Sequence, residues 1–179
     1  GQEEKLRAEQ LATLDPLTGM HNRRAFYAKA TPIWNIAQRN GRDLAAILLD
    51  IDSFKRINDA YGHAAGDAAL TAVARAVSQA IRQQDGAARW GGEEFIQRPP
   101  VTSLDEAAAL AERLRAAIAA IRLEHAGAEI AMTASFGVAQ REPHYPNLDA
   151  LISAADKYLY QSKAGGRNRI SCALEAVAA

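Results

Sequence analysis

A chain of 179 residues suits one domain with a short extension, and 49% hydrophobic content is enough to build a core. Its 21 basic and 21 acidic side chains cancel, which argues against a broad nucleic-acid or membrane surface while leaving room for a local phosphate site. One cysteine, Cys172, excludes an internal disulfide; with no membrane-length apolar run and no visible signal peptide, the sequence predicts a soluble cytoplasmic domain.

Residues 1–14, "GQEEKLRAEQLATL", are charged and helix-prone, with Leu6, Leu11 and Leu14 as their sizeable apolar side chains. Such a stretch cannot bury a face alone and reads as the end of a linker or stalk helix. "DPLTG" breaks it with Pro16 and Gly19, so the main domain is expected over 15–172, with 173–179 as a tail. The next helix is predicted from about Asn22 to Asn40, with Phe26, Ile33 and Ile36 on one face. "LAAILLD", Leu44 to Asp50, is a continuous apolar run ending in a carboxylate and predicts a buried central strand. A helix rich in alanine and valine follows from roughly Gly66 to Arg82.

"GAARW" and "EFIQRP" then flank Gly91-Gly92 as the arms of a hairpin. Ser103 and Glu106 form a capping box for a helix carrying Leu110, Leu114, Ile118 and Ile121. "EIAMTASFGVAQ" reads as one strand, "LDALISAADKYLYQSKA" as a helix closed by Gly165-Gly166, and "NRISCAL" as a last strand. Long helices alternating with a few strands around a hairpin predict a layered α/β sheet.

Chemistry concentrates in three stretches. In "RWGGEEF", Gly91 and Gly92 can take positive φ and admit a ligand to the backbone, while Glu93 and Glu94 repel unless water, a cation or a proton intervenes. With Asp50 at the strand end they could gather around Mg²⁺, which takes one or two carboxylates plus substrate phosphates. The plainer alternative is that Asp50 caps the next turn and the glutamates are solvated. In "DIDSFKRINDAYGHAAGDAAL", Lys55 can meet a phosphate, and Asn58, Asp59 and Asp67 can read the edge of a base. A capped loop accommodates the same residues. His63 has no second histidine at ligand spacing, and no GxxxxGK[ST] loop occurs. Near the end, Lys163 and Arg167 suit either a phosphate clamp or a helix C-terminus that favours cations.

Together these stretches resemble the GGDEF domains, the diguanylate cyclases that condense two GTP into cyclic di-GMP and two pyrophosphates. "DPLTGMHNRRAF", "DIDSFKRINDAYGHAAGDAAL", "RWGGEEF", "TASFGVA" and "ADKYLYQSKAGGRNR" are similar to the family's motifs, in its order, from Asp15 to Ile170. The resemblance implies an α+β fold: a central, mostly antiparallel sheet of about five strands flanked by helices, a nucleotidyl-cyclase-like palm with the signature hairpin. It implies that Asp50, Glu93 and the carbonyl of Ile51 ligate Mg²⁺, with Glu93 and Glu94 as the catalytic pair. Asn58 and Asp67 would recognise guanine. Lys163 and Arg167 would hold the β- and γ-phosphates, with Lys55 and the backbone at Phe54 beside them. Gly91 and Gly92 would let the hairpin lie close to the triphosphate.

Because each such domain holds one GTP, the resemblance implies a homodimer for catalysis, and Arg82 with Asp85 matches the family's RxxD product-inhibition site. The chain departs from the family at "IQRPP", where Gln97, Arg98 and Pro99 replace an apolar strand, and at Met20 and Ser53. That departure is the sequence feature favouring a weakly active or silent domain that serves as a cyclic di-GMP or GTP receptor or a dimerisation module.

Overall fold

The computed structural model describes residues 1–4, 12–81, 85–99 and 102–173. Most of the expected linker helix and tail, and Arg82, therefore lie outside the described residues. No helix among the described residues is long and apolar enough to cross a membrane.

Asn22 caps α1 (Arg23–Asn40): its side chain accepts from the Ala25 N–H at 3.0 Å, and Gly41 ends the helix in the left-handed region at φ 63°. The buried face is Ala25, Phe26, Ala30, Trp34 and Ala37. Ile36, expected on that face, stands 48% exposed.

The sheet is built around β1 (Ala45–Ile51), every residue of which is buried. It lies between β3 (Glu94–Gln97) and β6 (Ala134–Gln140) in the order β2-β3-β1-β6-β7, with β2 (Ala87–Arg89) and β7 (Ile170–Ser171) at the edges. All pairs are antiparallel except β6 with β7. β1 is apolar throughout because both of its faces are covered. Ala45, Ile47, Leu49 and Ile51 join a core with α3 (His63–Ala80) and α4 (Leu104–Ala119). Ala46 and Leu48 join a second core with α1 and α5 (Leu148–Ala164). The side chain of Asp50 has the parity of Ala46 and Leu48, so it faces α5. On that side α5 rests directly on β6: a Cβ on Gly137 would come within 2.0 Å of the Ala155 carbonyl oxygen and 2.3 Å of the Leu159 nitrogen.

Four readings need correction. The segment before Gly66, for which a capped loop was one alternative, forms α2 (Phe54–Tyr61), and Gly62, at φ 92° and ψ 164°, separates it from α3. The long helix therefore begins three residues before Gly66 and ends at Ala80, with Ile81 extended. "EIAMTASFGVAQ" is not one strand. Glu129 and Ile130 belong to β5 (Ala128–Ile130), which pairs with β4 (Leu123–His125) across a turn with positive φ at Ala126 and Gly127. "NRISCAL" contributes only the two residues of β7.

The capping box is present in part. Ser103 Oγ accepts from the Glu106 N–H at 3.2 Å and donates to the Glu106 carboxylate at 3.0 Å, and Ile121 lies beyond the end of α4. In "IQRPP", Gln97 stays in β3 with 0% exposure, and neither its Oε1 nor its Nε2 has a hydrogen-bond partner; Arg98 is 6% exposed with its Nε unpartnered.

Candidate active site

Pairing of β1 with β3 sets Asp50 opposite Glu94, and the Ile51 N–H donates to the Glu93 carbonyl at 3.1 Å. Three acidic side chains thus converge where the hairpin turns back. Asp50 is 5% exposed, and the Lys163 ammonium, from the last turn of α5, donates to its Oδ2. Burial pushes the Asp50 carboxyl up to about 6; Lys163 opposes the rise, and the charges of Glu93 and Glu94 add to it. Glu94 is also raised, first by burial and then by Asp156 and Glu93, against the pull of Lys163. Burial disfavours the charge on Lys163, but its bond to Asp50 and the surrounding carboxylates hold its pKa above the ordinary value. The site is therefore one buried and two half-buried acids facing one ammonium.

Gly91 and Gly92 are exposed, and neither uses positive φ, contrary to expectation. What they provide is room: a Cβ on Gly92 would meet nothing within 4 Å, and one on Gly91 only Glu94 at 3.7 Å. The hairpin is closed by the Trp90 N–H on the Glu94 carbonyl at 2.8 Å.

A residue the sequence reasoning missed, Arg89, clamps this turn. Its Nε donates to the Gly91 carbonyl at 3.2 Å and its Nη2 to the Gly92 carbonyl at 2.8 Å. Its Nη1 reaches both carboxylate oxygens of Asp15 at 3.0 and 3.1 Å. Asp15 in turn accepts from the Thr18 N–H and hydroxyl at 2.9 and 2.8 Å; burial opposes its charge, but these bonds and Arg89 leave its carboxyl below the usual range. "DPLTG" is thus bolted to the glycine turn. Both residues stand inside quoted motifs, but nothing in the sequence pairs them.

Asn58 and Phe54 meet in the cleft between α2 and α3. A Cβ on Gly66 would come within 1.8 Å of Asn58 Oδ1 and 3.2 Å of Phe54 Cζ, so the carboxamide lies directly on the glycine. Gly66 is a second missed residue. Asp67 follows it and is exposed, as are Lys55 and Asp59 on α2 and His63 at the start of α3. Arg167 lies in the turn after α5, at φ 64°. A cleft of about 550 Å³ lined by Arg56, Tyr61 and Arg122 opens on a different face of α2 and gathers none of the predicted residues.

Arg82 lies outside the described residues. Asp85 is half-buried just before Gly86, over which the Arg98 guanidinium packs; burial holds Arg98 below the ordinary arginine value, while Asp85 favours its charge. Asp52, also missed, accepts hydrogen bonds from Thr133, Ser135 and Asn168.

A mostly antiparallel sheet with an acidic strand end, an open glycine turn and a cation delivered by the last turn of a helix defines a nucleotidyl-cyclase-like palm. The family described as "Diguanylate cyclase, GGDEF domain" matches residues 12–169. The diguanylate cyclase DgcP of Pseudomonas aeruginosa is 43% identical over 164 residues, covering 92% of this chain and 24% of the relative. The response regulator PleD of Caulobacter vibrioides is 37% identical over 163 residues, covering 90% of this chain and 36% of its own. Among solved structures, the coiled coil and GGDEF domain of DgcB from Caulobacter crescentus, in complex with c-di-GMP, has a TM-score of 0.85 at 32% identity over 96% of this chain and 91% of that one. The active GGEEF domain of a diguanylate cyclase from Vibrio cholerae has a TM-score of 0.78 at 31% identity over 84% and 96%. The chain belongs to the GGDEF diguanylate cyclase family, and it spans less than half the length of these two curated relatives.

Proposed function

We propose that this chain makes cyclic di-GMP from two GTP in the cytoplasm, each copy of the domain supplying half of the catalytic centre. The observation that carries the reading is the convergence of Asp50, Glu93 and Glu94 on the Lys163 ammonium at one end of β1. Among the described residues, no three His, Cys, Asp or Glu form a ready metal cage. Mg²⁺ does not need one, since it takes a couple of carboxylates and completes its shell with water and phosphate oxygens. Asp50, Glu93 and the Ile51 carbonyl are a fitting hard-oxygen set, and Mg²⁺ held there would neutralise charge on the reacting phosphates.

The protein's own groups do the rest. Lys163 and Arg167 hold the β- and γ-phosphates, with Lys55 and the Phe54 backbone beside them, and the open backbone at Gly91-Gly92 lets the triphosphate approach. Asn58 reads the guanine edge from its seat on Gly66, and Asp67 accepts from guanine N–H donors that adenine lacks. The 3′-hydroxyl of one GTP attacks the α-phosphorus of the other, pyrophosphate leaves, and the hydroxyl proton passes to the nearby Glu94 carboxylate. The same step in reverse orientation closes the ring. Arg82 and Asp85 bind the product and restrain the dimer. Incubation with GTP and Mg²⁺ tests the reading: cyclic di-GMP and two pyrophosphates per product are expected, and their absence from a folded dimer overturns it.

A second reading is favoured by the buried, unpartnered Gln97 and the buried Arg98 behind the hairpin. It makes the domain a silent receptor for cyclic di-GMP. Tight product binding without turnover is its signature.

A further inference from the structure

Asp52 belongs to none of these roles. It lies two residues beyond Asp50, and its carboxylate collects three donors: the Thr133 hydroxyl at 2.7 Å, the Ser135 hydroxyl at 2.6 Å and the Asn168 N–H at 3.0 Å. Its own N–H donates to the Thr133 carbonyl at 2.8 Å. One side chain thereby joins the end of β1, the start of β6 and the turn after α5.

That turn is not one the chain adopts freely. Arg167 and Asn168 follow one another at φ 64° and φ 47°, a left-handed conformation that a Cβ disfavours. The Arg167 N–H donates to the Ser162 carbonyl at 2.9 Å, and Arg115 donates to Asn168 Oδ1 at 2.9 Å. Asp52 is the side chain that ties the turn to the strand bearing Asp50.

We propose that Asp52 is a positioning residue for the triphosphate. By pinning Asn168 it holds Arg167 in its left-handed conformation and in register with Asp50. The inference rests on the reading of Arg167 as a phosphate ligand. It also separates shape from charge. Asparagine can keep all three contacts, its amide oxygen accepting from Thr133 and Asn168 while its NH₂ donates to the Ser135 hydroxyl, which turns to accept. Alanine keeps none. A metal ligand at this position has the opposite signature, because a neutral amide replaces a carboxylate poorly toward a hard cation.

Calorimetry with 3′-deoxy-GTP and Mg²⁺ reads binding without turnover, since the attacking hydroxyl is missing. Asp52→Ala and Arg167→Ala are each expected to weaken binding about tenfold, Asp52→Asn no more than about twofold, and the double alanine variant no further than Arg167→Ala alone. Native affinity in Asp52→Ala alongside a weakened Arg167→Ala overturns this proposal by itself, as does equal loss in Asp52→Asn and Asp52→Ala. Native affinity in Arg167→Ala overturns the phosphate reading, and this proposal with it. Should Asp52→Ala fail to fold, Thr133→Val with Ser135→Ala, which leaves Asp52 tethered only to Asn168, is expected to weaken binding about threefold. Native affinity in that folded variant overturns the proposal.

Discussion

At one end of β3, Glu94 lies opposite Asp50 with the Lys163 ammonium bound to the cluster; at the other end, three residues on, Gln97 is buried with neither amide atom partnered. Both ends place polar groups where water is scarce. At the acidic end, repulsion and desolvation are offset by a cation and by nearby open backbone at Gly92, so the charges stay available to a ligand. At the Gln97 end nothing offsets the burial. Unfavourable burial is therefore not by itself a mark of function; the presence of a compensating partner separates the two ends.

The largest expected effect falls on the acidic end. Asp50→Asn should reduce cyclic di-GMP formation by about a hundredfold or more, because the isosteric amide is a poor ligand for a hard cation. Turnover at the parent rate by a folded variant removes Asp50 from the metal set. The same variant carries a pH signature. Burial pushes the Asp50 carboxyl up to about 6 in the folded chain, against an ordinary aspartate value of 3.8 when unfolded. Between those values the folded state holds the extra proton, so this group's contribution to stability falls as pH rises from about 4 to about 6 and is flat above. Asp50→Asn should flatten that slope in urea titrations. An unchanged slope shows that Asp50 titrates normally.

Next comes the cleft between α2 and α3. Gly66→Ala drives a methyl into Asn58 Oδ1, where the ideal separation is 1.8 Å, so GTP affinity should fall about tenfold and discrimination against ATP should narrow. Unaltered GTP and ATP affinities by calorimetry separate Asn58 from base recognition.

Arg89→Ala tests the clamp between Asp15 and the glycine turn. Losing charge-assisted bonds to three acceptor groups should lower the unfolding free energy by about 2 kcal/mol and blur the hairpin. Hydrogen exchange at Trp90 and Gly91 should accelerate; protection equal to the parent's means the turn holds without its clamp. The smallest effect has the opposite sign. Gln97→Met keeps the shape and removes two unpartnered polar atoms, and should stabilise the fold by about 1 kcal/mol, or about 2–4 °C in Tm. A lower Tm means that Gln97 has a partner in solution.

Much of the fold was legible because local rules and burial agree there. The apolar run of β1, the Asn22 cap and the glycine-closed α5 each carry their own signal. The β4–β5 hairpin did not, since its three-residue strands mix leucine with glutamate and histidine and its turn is Ala126-Gly127 rather than Asn-Gly. α2 was hidden because Lys, Arg, Asn and Asp make up half of its eight residues and suit a capped loop equally well. In the site, the motifs singled out Asp50, Glu93, Glu94 and Lys163, which lie together at the end of β1, and Asn58, which lies on Gly66. They could not reveal which distant groups hold them. Arg89 meets Asp15 across 74 positions and Asp52 meets Asn168 across 116, and such pairings are fixed by tertiary packing alone.

Gly137 bears on how tolerance to mutation should be read. It carries no side chain that could do chemistry, yet a single methyl there strikes the backbone of α5 at Ala155 and Leu159. Backbone cannot rotate aside as a side chain can, so the whole helix must lift, carrying Lys163 away from Asp50. In a saturation library selected for activity, position 137 should be as intolerant as position 50, while a selection for folded protein alone should spare more variants at position 50 than at 137. An inert residue can thus score like a catalytic one, and only the pair of selections tells them apart.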